Sequence, residues 1–218
     1  MGQRHQIYAK SNYGYDTQVN MSCFHHQWLY GGTAIIQLKN ILEFNKNASK
    51  YNNFSTGTMN SPDSTDQLVN NLYCINVQEG YFSTMIDLKR DVTTSDEIHY
   101  LHPERQDNND GQTFIDFTTG DKPNVCFSFP YERDVYASRE DDEPSSTVTE
   151  NTVVTPLKYF SLYYDIENIQ DNQDKEEVEF INEILALITW IEENTTLMTQ
   201  EDLDNMYADT QNEELVLN

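Results

Sequence analysis

Three side chains near the amino terminus have the types needed for nucleophilic or metal-assisted chemistry. Cys23 and His25 stand two residues apart, next to His26, and His5 lies in an earlier apolar run. Residues two apart share one face of a β-strand, so Cys23 and His25 are expected on one face and His26 on the other. A thiol beside an imidazole can act as a nucleophile with its base, and with His5 the pair can form part of a zinc site. Cys23, His25 and His5 are therefore the candidate catalytic residues.

A structural role is the favoured interpretation of the same cluster, and a binding surface is a third. Catalysis requires an orienting group, and zinc a further ligand, which the spacing does not identify. Elsewhere, residues 107–111 resemble a calcium loop, but loop positions one and twelve then fall on Gln106 and Phe117, which lack the required carboxylates. We therefore predict no metal site and no cofactor, and an enzyme is the less favoured class.

The elements that must position these residues begin with two strands and a helix. Residues 4–10 and 19–30 are rich in ring-bearing side chains and predict two strands joined by a turn. Gly31-Gly32 interrupts the second pattern, and Thr33 is a plausible N-cap. Apolar residues then recur at helical spacing up to about residue 44, namely Ile35, Leu38, Ile41 and Leu42.

The rest of the chain predicts more strands, followed by two helices. Residues 112–118 and 124–129 form a predicted hairpin, and residues 153–165 have β character although Pro156 restricts them to an edge or a late strand start. A wide apolar stripe of helical period follows the possible cap Asp174 and predicts a long helix to about residue 193. Thr199 can cap a last short helix, ending near residue 207.

Together these elements predict a single α+β domain over residues 1–218. Its sheet is expected to be mainly antiparallel, with one helix after the first two strands and a long amphipathic C-terminal helix. Three segments lack the apolar residues to order themselves: a polar loop at 45–67, an acidic mobile segment at 137–152 and a frayed tail at 210–218.

The charge of the chain is segregated along the sequence. Its net charge is −24, but residues 1–60 carry a net +3, so residues 61–218 carry a net −27. Such a field repels phosphates, which excludes direct binding of nucleic acid, and it favours a basic protein partner. No apolar run approaches the roughly 20 residues of a membrane helix, so no membrane association is expected. The sequence carries no signal for an oligomeric state.

The acidic residues best placed to meet a partner lie in the long helix and in the acidic segment. On the predicted polar face of the helix these are Glu176, Glu179, Glu183 and Glu193, and in the segment they are Asp141 and Asp142. Carboxylates held at regular spacing can stand in for phosphates at a basic site. The alternative is that they are solvated charge that keeps the protein in solution.

The amino-terminal region resembles a known group of proteins. The start MGQRHQIY (1–8) and the run HQWLYG (26–31), followed by an amphipathic helix, resemble uncharacterised proteins encoded by tailed bacteriophages. The resemblance covers about the first 45 residues and implies no activity. It implies a phage product that acts in the cytoplasm of the host bacterium or is carried in the virion.

Three functions remain open from the sequence. The favoured one is a non-enzymatic accessory protein whose acidic surface binds a basic site on a host protein, as an inhibitor in anti-defence or host takeover and as a possible nucleic-acid mimic. The second is a small hydrolase or ligand-binding enzyme built around Cys23, His25 and His5. The third is a structural or cargo protein of the virion.

Overall fold

The fold is an α+β arrangement of a mixed sheet and four helices among the residues that the structure describes. The computed structural model describes residues 4–13, 18–27, 29–51, 83–87, 110–135, 144, 146–169 and 174–212. The strands are β1 (Arg4–Tyr13), β2 (Gln18–Gln27), β3 (Ser83–Asp87), β4 (Gln112–Asp116), β5 (Asn124–Ser128), β6 (Arg133–Val135), β7 (Ser146–Val148) and β8 (Thr196–Leu197). The helices are α1 (Gly31–Tyr51), α2 (Pro156–Ser161), α3 (Lys175–Asn194) and α4 (Gln200–Asn212).

The main sheet has the strand order β3-β2-β1-β4-β5-β8, and β6 pairs with β7 in a separate ribbon. The predicted hairpins β1–β2 and β4–β5 are confirmed as antiparallel pairs. However, β1 pairs parallel with β4, and β5 pairs parallel with β8, so the prediction of a mainly antiparallel sheet is wrong. Alternating apolar residues identify a strand, but the direction of its neighbour depends on long connections that the pattern does not encode.

Alternation along the strands gives the sheet two apolar faces. On one face, Ile7, Ile115 and Phe127 are buried against residues of α1, α2 and α3. On the other face, Tyr8 and its parallel neighbour Phe114 are buried with residues of α4. The sheet is therefore the middle layer between three helices and one.

Helix α1 has the predicted apolar face but different ends. Ile35 and Leu38 are buried as expected, but the helix begins at Gly31, so the prediction of Thr33 as its N-cap is wrong. Thr33 instead lies in the first turn, where its hydroxyl donates to the carbonyl oxygen of Tyr30 at 2.7 Å. The helix also continues to Tyr51, inside the range predicted as the 45–67 loop.

Contacts with α3 explain why this polar end of α1 is helical. The Nζ atom of Lys46 donates to the Oδ1 atom of Asn194 at 2.7 Å and lies 5.7 Å from the centre of the Trp190 ring. Such contacts between distant parts of the chain are not visible in a local composition. Residues 52–67 of the predicted loop lie outside the described residues.

The prediction of β structure at residues 153–165 is wrong for most of that range. Val154 forms an isolated bridge with Phe127, but Pro156 begins the short helix α2. Thr155 is its N-cap and accepts a hydrogen bond from the backbone N–H of Lys158 at 3.0 Å. Proline suits the first helical position, because its fixed φ is helical and its missing N–H has no partner there.

The two C-terminal helices begin where their capping residues predict. Asp174 accepts hydrogen bonds from the N–H groups of Glu176 and Glu177, at 3.0 and 3.2 Å, at the start of α3. At the start of α4, the Oγ1 atom of Thr199 accepts from the N–H of Asp202, whose carboxylate accepts from the Thr199 hydroxyl in return. Both helices thus satisfy their free N–H groups locally.

The other two segments predicted to lack order are described only in part. Strand β7 lies inside the 137–152 range and pairs with β6, so the acidic segment as predicted contains regular structure. Asp141 and Asp142 lie outside the described residues. Helix α4 reaches Asn212, so it includes the first residues of the predicted 210–218 tail.

The turn before β4 requires a glycine and generates the first prediction. Gly111 has a φ of +92°, and a Cβ atom there would lie 2.9 Å from a ring carbon of Phe129. We expect Gly111→Ala to lower the free energy of unfolding, measured in urea, by at least about 2 kcal/mol, from backbone strain and from overpacking.

Gly120→Ala is the matched control, because Gly120 also has a positive φ, +46°, but nothing lies within 4 Å of its added Cβ. It is expected to cost only about 1 kcal/mol, from the backbone alone. Equal losses in the two variants would contradict the packing argument.

Candidate functional site

The register of β1 and β2 decides which amino-terminal candidates share a face of the sheet. His5 pairs with His26, whereas His25 pairs with Gln6, and Cys23 pairs with Tyr8. Since neighbouring positions along a strand alternate between faces, the position of His5 belongs to one face and those of Cys23 and His25 to the other. The structure therefore does not bring the three candidates together on one face.

His5 is enclosed in a network of hydrogen bonds. Its side chain is completely buried, with Nδ1 3.0 Å from the carbonyl oxygen of Asp110 and Nε2 2.7 Å from the Oγ1 atom of Thr113. A carbonyl oxygen only accepts, so Nδ1 carries a proton, and Nε2 shares a hydrogen bond with the threonine hydroxyl. Both ring nitrogens are thus used to join β1 to the start of β4.

Two tyrosines of α2 and its C-terminal flank complete this network. The hydroxyl of Tyr159 donates to the carbonyl oxygen of Asp110 at 2.8 Å, and the hydroxyl of Tyr163 lies 3.2 Å from the same oxygen. The Tyr159 ring stacks on Phe127, with the ring centres 4.0 Å apart. Arg133 donates to the Tyr163 hydroxyl at 2.8 Å. We call His5, Asp110, Thr113, Tyr159 and Tyr163 the His5 cluster.

The pKa values of this cluster fit a structural role. Burial raises the pKa of Tyr159 well above its usual value, and the adjacent Tyr163 and the Asp110 carboxylate raise it further. Burial also raises the pKa of Tyr163, although the charge of Arg133 acts in the opposite direction. Both hydroxyls therefore remain protonated donors at neutral pH, which suits fixed hydrogen bonds rather than proton transfer.

A second buried polar group lies on the α4 face of the sheet. Gln6 and Gln112 are in register and fully buried, and the Tyr207 hydroxyl of α4 donates to Gln112 Oε1 at 3.0 Å. The Tyr8 hydroxyl donates to Gln6 Oε1 at 2.6 Å. These residues attach α4 to the sheet. The alternation of polar and aromatic residues in β1 is the sequence signal that could have indicated them.

Cys126 is a buried free thiol on the same face. Its Sγ atom lies 3.5 Å from the sulfur of Met198. Burial raises the pKa of the thiol well above its usual range, and the charge of Asp202 adds to the effect. Because the thiolate is the nucleophile, Cys126 is unreactive at neutral pH. Among the described residues, no group of three or more His, Cys, Asp or Glu side chains is placed to hold a metal ion.

The exposed face of α3 carries the acidic residues predicted to meet a partner. Glu176, Glu179, Glu183 and Glu193 are all exposed, while Ile181, Ile184, Ile188 and Ile191 hold the opposite side of the helix in the core. Two of these glutamates, Glu179 and Glu183, line an open groove of about 660 Å³. The groove is otherwise lined by Ile169, Lys175, Val178, Asn182 and Ala186. We call this surface the α3 groove.

Comparison with protein-family models, curated proteins and solved structures finds no match to this chain. The resemblance of residues 1–45 to phage proteins accordingly stays a prediction. Within the ranges that the structure describes, no helix is both long and apolar enough to cross a membrane.

A double-mutant cycle tests whether His5 is a structural link. His5→Leu leaves the buried Thr113 hydroxyl without its hydrogen-bond partner His5, so we expect the free energy of unfolding to fall by about 1–3 kcal/mol. Thr113→Val in the His5→Leu background is expected to cost less than Thr113→Val alone, because both polar partners are then gone. Urea unfolding of the four proteins measures the coupling. Strictly additive losses would contradict a direct bond between the two side chains.

The buried tyrosine predicts a loss of stability at high pH. Above about pH 10 the unfolded chain releases the Tyr159 proton while the folded state retains it, so the free energy of unfolding falls as pH rises, by about 1.4 kcal/mol per pH unit for this group. Tyr159→Phe should make the pH dependence between pH 10 and 12 shallower, as measured by urea unfolding. Tyr131→Phe, at an exposed side chain, controls for removal of a hydroxyl. If Tyr159→Phe leaves the pH dependence of the free energy of unfolding unchanged, the raised pKa of Tyr159 is not the cause of the loss of stability.

Proposed function

We propose that this protein is a non-enzymatic binding protein whose α3 groove contacts a basic site on another protein. The observation that carries the proposal is that exposed carboxylates and apolar side chains line the same groove on a helix fixed to the core. Glu179 and Glu183 line it one turn apart, and Glu176 is exposed one turn before Glu179.

The rigidity of α3 distinguishes these carboxylates from ordinary surface charge. Four isoleucines fix one side of the helix, and Asp174 caps its start. Along a helix, Glu176, Glu179 and Glu183 are separated by rises of about 4.5 and 6 Å. A fixed row of negative charges at this spacing can occupy a site that otherwise binds phosphates, which supports the proposal of a nucleic-acid mimic.

The apolar residues that line the groove add specificity that charge alone does not provide. Electrostatic attraction accelerates association and is weakened by salt, whereas buried apolar contacts determine how long a complex lasts. Ile169, Val178 and Ala186 line the same groove as the carboxylates and can supply such contacts. The proposed partner is a host bacterial protein, and the predicted locations are the host cytoplasm or the virion.

The enzymatic alternative receives no support from the described side chains. His5 is enclosed by hydrogen bonds, and Cys126 is held as a neutral thiol. Nothing is described of the side chains of Cys23 and His25. The remaining alternative, a structural or cargo protein of the virion, stays a prediction.

Affinity capture with two charge-matched variants tests the proposal. The groove variant replaces Glu176, Glu179 and Glu183 with glutamine, and the control variant replaces the exposed Glu132, Glu150 and Glu167 in the same way. We expect the wild type to capture a basic protein from bacterial lysate at low salt, with at least tenfold less recovered by the groove variant. Full recovery is expected with the control variant.

Purification of the captured protein then allows its dissociation constant to be measured for all three forms. Losses that depend only on the net charge, equal in both variants, would show non-specific attraction and contradict a site at α3. Capture that is unaffected by either variant would contradict it as well.

A further inference from the structure

The edge of the main sheet at β8 combines an edge strand with a small cavity, and it is separate from the α3 groove. Strand β8 is the last strand in the described sheet order and pairs parallel with β5. A cavity of about 260 Å³ lies beside it, lined by Val125, Thr155, Pro156, Glu192, Thr195 and Leu197. None of these residues lines the α3 groove.

Among the described residues, no strand pairs with the outer side of β8. The N–H groups of Thr196 and Met198 donate to the carbonyl oxygens of Pro123 and Val125, both at 3.0 Å. Since successive residues of a strand direct their backbone groups to opposite sides, the N–H and C=O groups of Leu197 point away from β5. A further strand can pair with them there.

The Leu197 side chain is exposed at the mouth of the cavity. It is 43 % exposed. Burial of this apolar surface by a bound partner would therefore stabilise a complex. The cavity is smaller than the roughly 300 Å³ at which pockets for small molecules begin, so it suits one side chain of a larger partner.

The charge beside the cavity is negative and locally unfavourable. Glu192 and Glu193 occupy the last turn of α3, which contains no basic residue, although the carbonyl end of a helix disfavours negative charge. Lys122 donates to the main-chain oxygen of Glu193, but the Glu192 carboxylate forms no ion pair with a described residue. A cationic side chain placed over Glu192 would relieve this repulsion.

We propose that β8 is a docking edge for an extended segment of a partner protein that carries an apolar residue and a lysine or arginine two positions apart. The segment adds as a strand beside β8, with its main chain bonded to the N–H and C=O groups of Leu197. Residues two apart share a face, so its apolar side chain enters the cavity while its basic side chain reaches Glu192. The two-residue length of β8 limits pairing with unrelated strands, so the cavity and Glu192 determine specificity.

Selection from a display library of random ten-residue peptides tests this directly. We expect the selected peptides to share an apolar residue and a lysine or arginine two positions apart. The best peptide, labelled with fluorescein, should bind the wild-type protein in an anisotropy titration. N-methylation of its central backbone amides should weaken binding at least tenfold, because strand pairing requires those N–H groups. A selection that enriches no such pattern, or an N-methylated peptide that binds as well, would overturn the proposal.

Matched variants locate the bound peptide. Glu192→Gln and Leu197→Asn should each weaken binding at least tenfold, whereas Glu183→Gln in the α3 groove and Leu157→Asn at another exposed leucine should not. Circular dichroism and urea unfolding check that each variant is folded. If Leu197→Asn does not fold, the result for Glu192→Gln decides the test by itself.

Two results would assign the edge differently and overturn the proposal. Sensitivity to Glu183→Gln instead of Glu192→Gln would place the peptide in the α3 groove. Sedimentation that shows a dimer abolished by Leu197→Asn, but not by Leu157→Asn, would make a second copy of this chain the occupant. Because the two surfaces share no residue, failure here leaves the proposal for the α3 groove intact.

Discussion

The parallel pairing of β1 with β4 is the contact on which the rest of the fold depends. It places a strand from the start of the chain in the middle of the sheet, where Ile7 contacts the layer of three helices and Tyr8 contacts the layer of α4. The His5 cluster secures this pairing at one end, because both nitrogens of the imidazole bond to the region that begins β4. Tyr159 then connects the same point to α2. A histidine that the sequence indicates as a candidate catalytic residue thus connects distant segments of the chain.

Helix α3 has one side packed in the core and an opposite side that is exposed and acidic. The isoleucines of α3 hold it in the core. Its Trp190 faces α1, and the Nζ atoms of Lys39 and Lys46 lie within 6 Å of the centre of the Trp190 ring. Two lysines of the mildly basic amino-terminal block therefore lie against α3 at Trp190, where Lys46 also donates to the Oδ1 atom of Asn194. The carboxylates of the α3 groove lie on the outer side of the helix, and Glu192 lies at its end. Lysines from the first 60 residues thus lie against α3 at Trp190, whereas the acidic residues of α3 named above are exposed.

Local patterns predicted the elements well where one periodicity and one cap agreed. The isoleucine stripe and Asp174 located α3 almost to the residue, and the buried face of α1 followed from Ile35 and Leu38. The prediction from sequence was wrong where strand propensity and a helix-capping signal occurred in the same segment. Tyr159 and Phe160 have strand propensity, but the cap at Thr155 and the proline at the first helical position determined a helix. The local signal from those two residues was the more specific one.

The other features that the sequence did not predict are contacts between distant parts of the chain, not the helices and strands themselves. Nothing local to β1 indicates that its parallel neighbour is β4, and nothing local to His5 indicates that it bonds to Thr113, since these depend on tertiary contacts. The cavity beside β8 is of the same kind, because Thr155, Glu192 and Leu197 come from three separate elements. Chemical residue types indicated candidate catalytic groups, but the strand register places the position of His5 on the face opposite to those of Cys23 and His25. Sequence alone therefore identified the acidic helix as a candidate surface and missed the sheet edge.

The central position of β1 has a consequence for biosynthesis. His5 and Thr113 are 108 residues apart, so at about 5–20 residues per second the ribosome needs roughly 5–20 s to deliver the second after the first. During that time the β1–β2 hairpin has no β4 to cover its inner edge, and its apolar residues have no completed sheet to join. Contacts of such high sequence separation fold slowly, because the loop must close before they form. Among the described strands, those of the amino-terminal hairpin therefore wait longest for the sheet to be completed, and the uncovered edge of β1 is exposed to aggregation during that time.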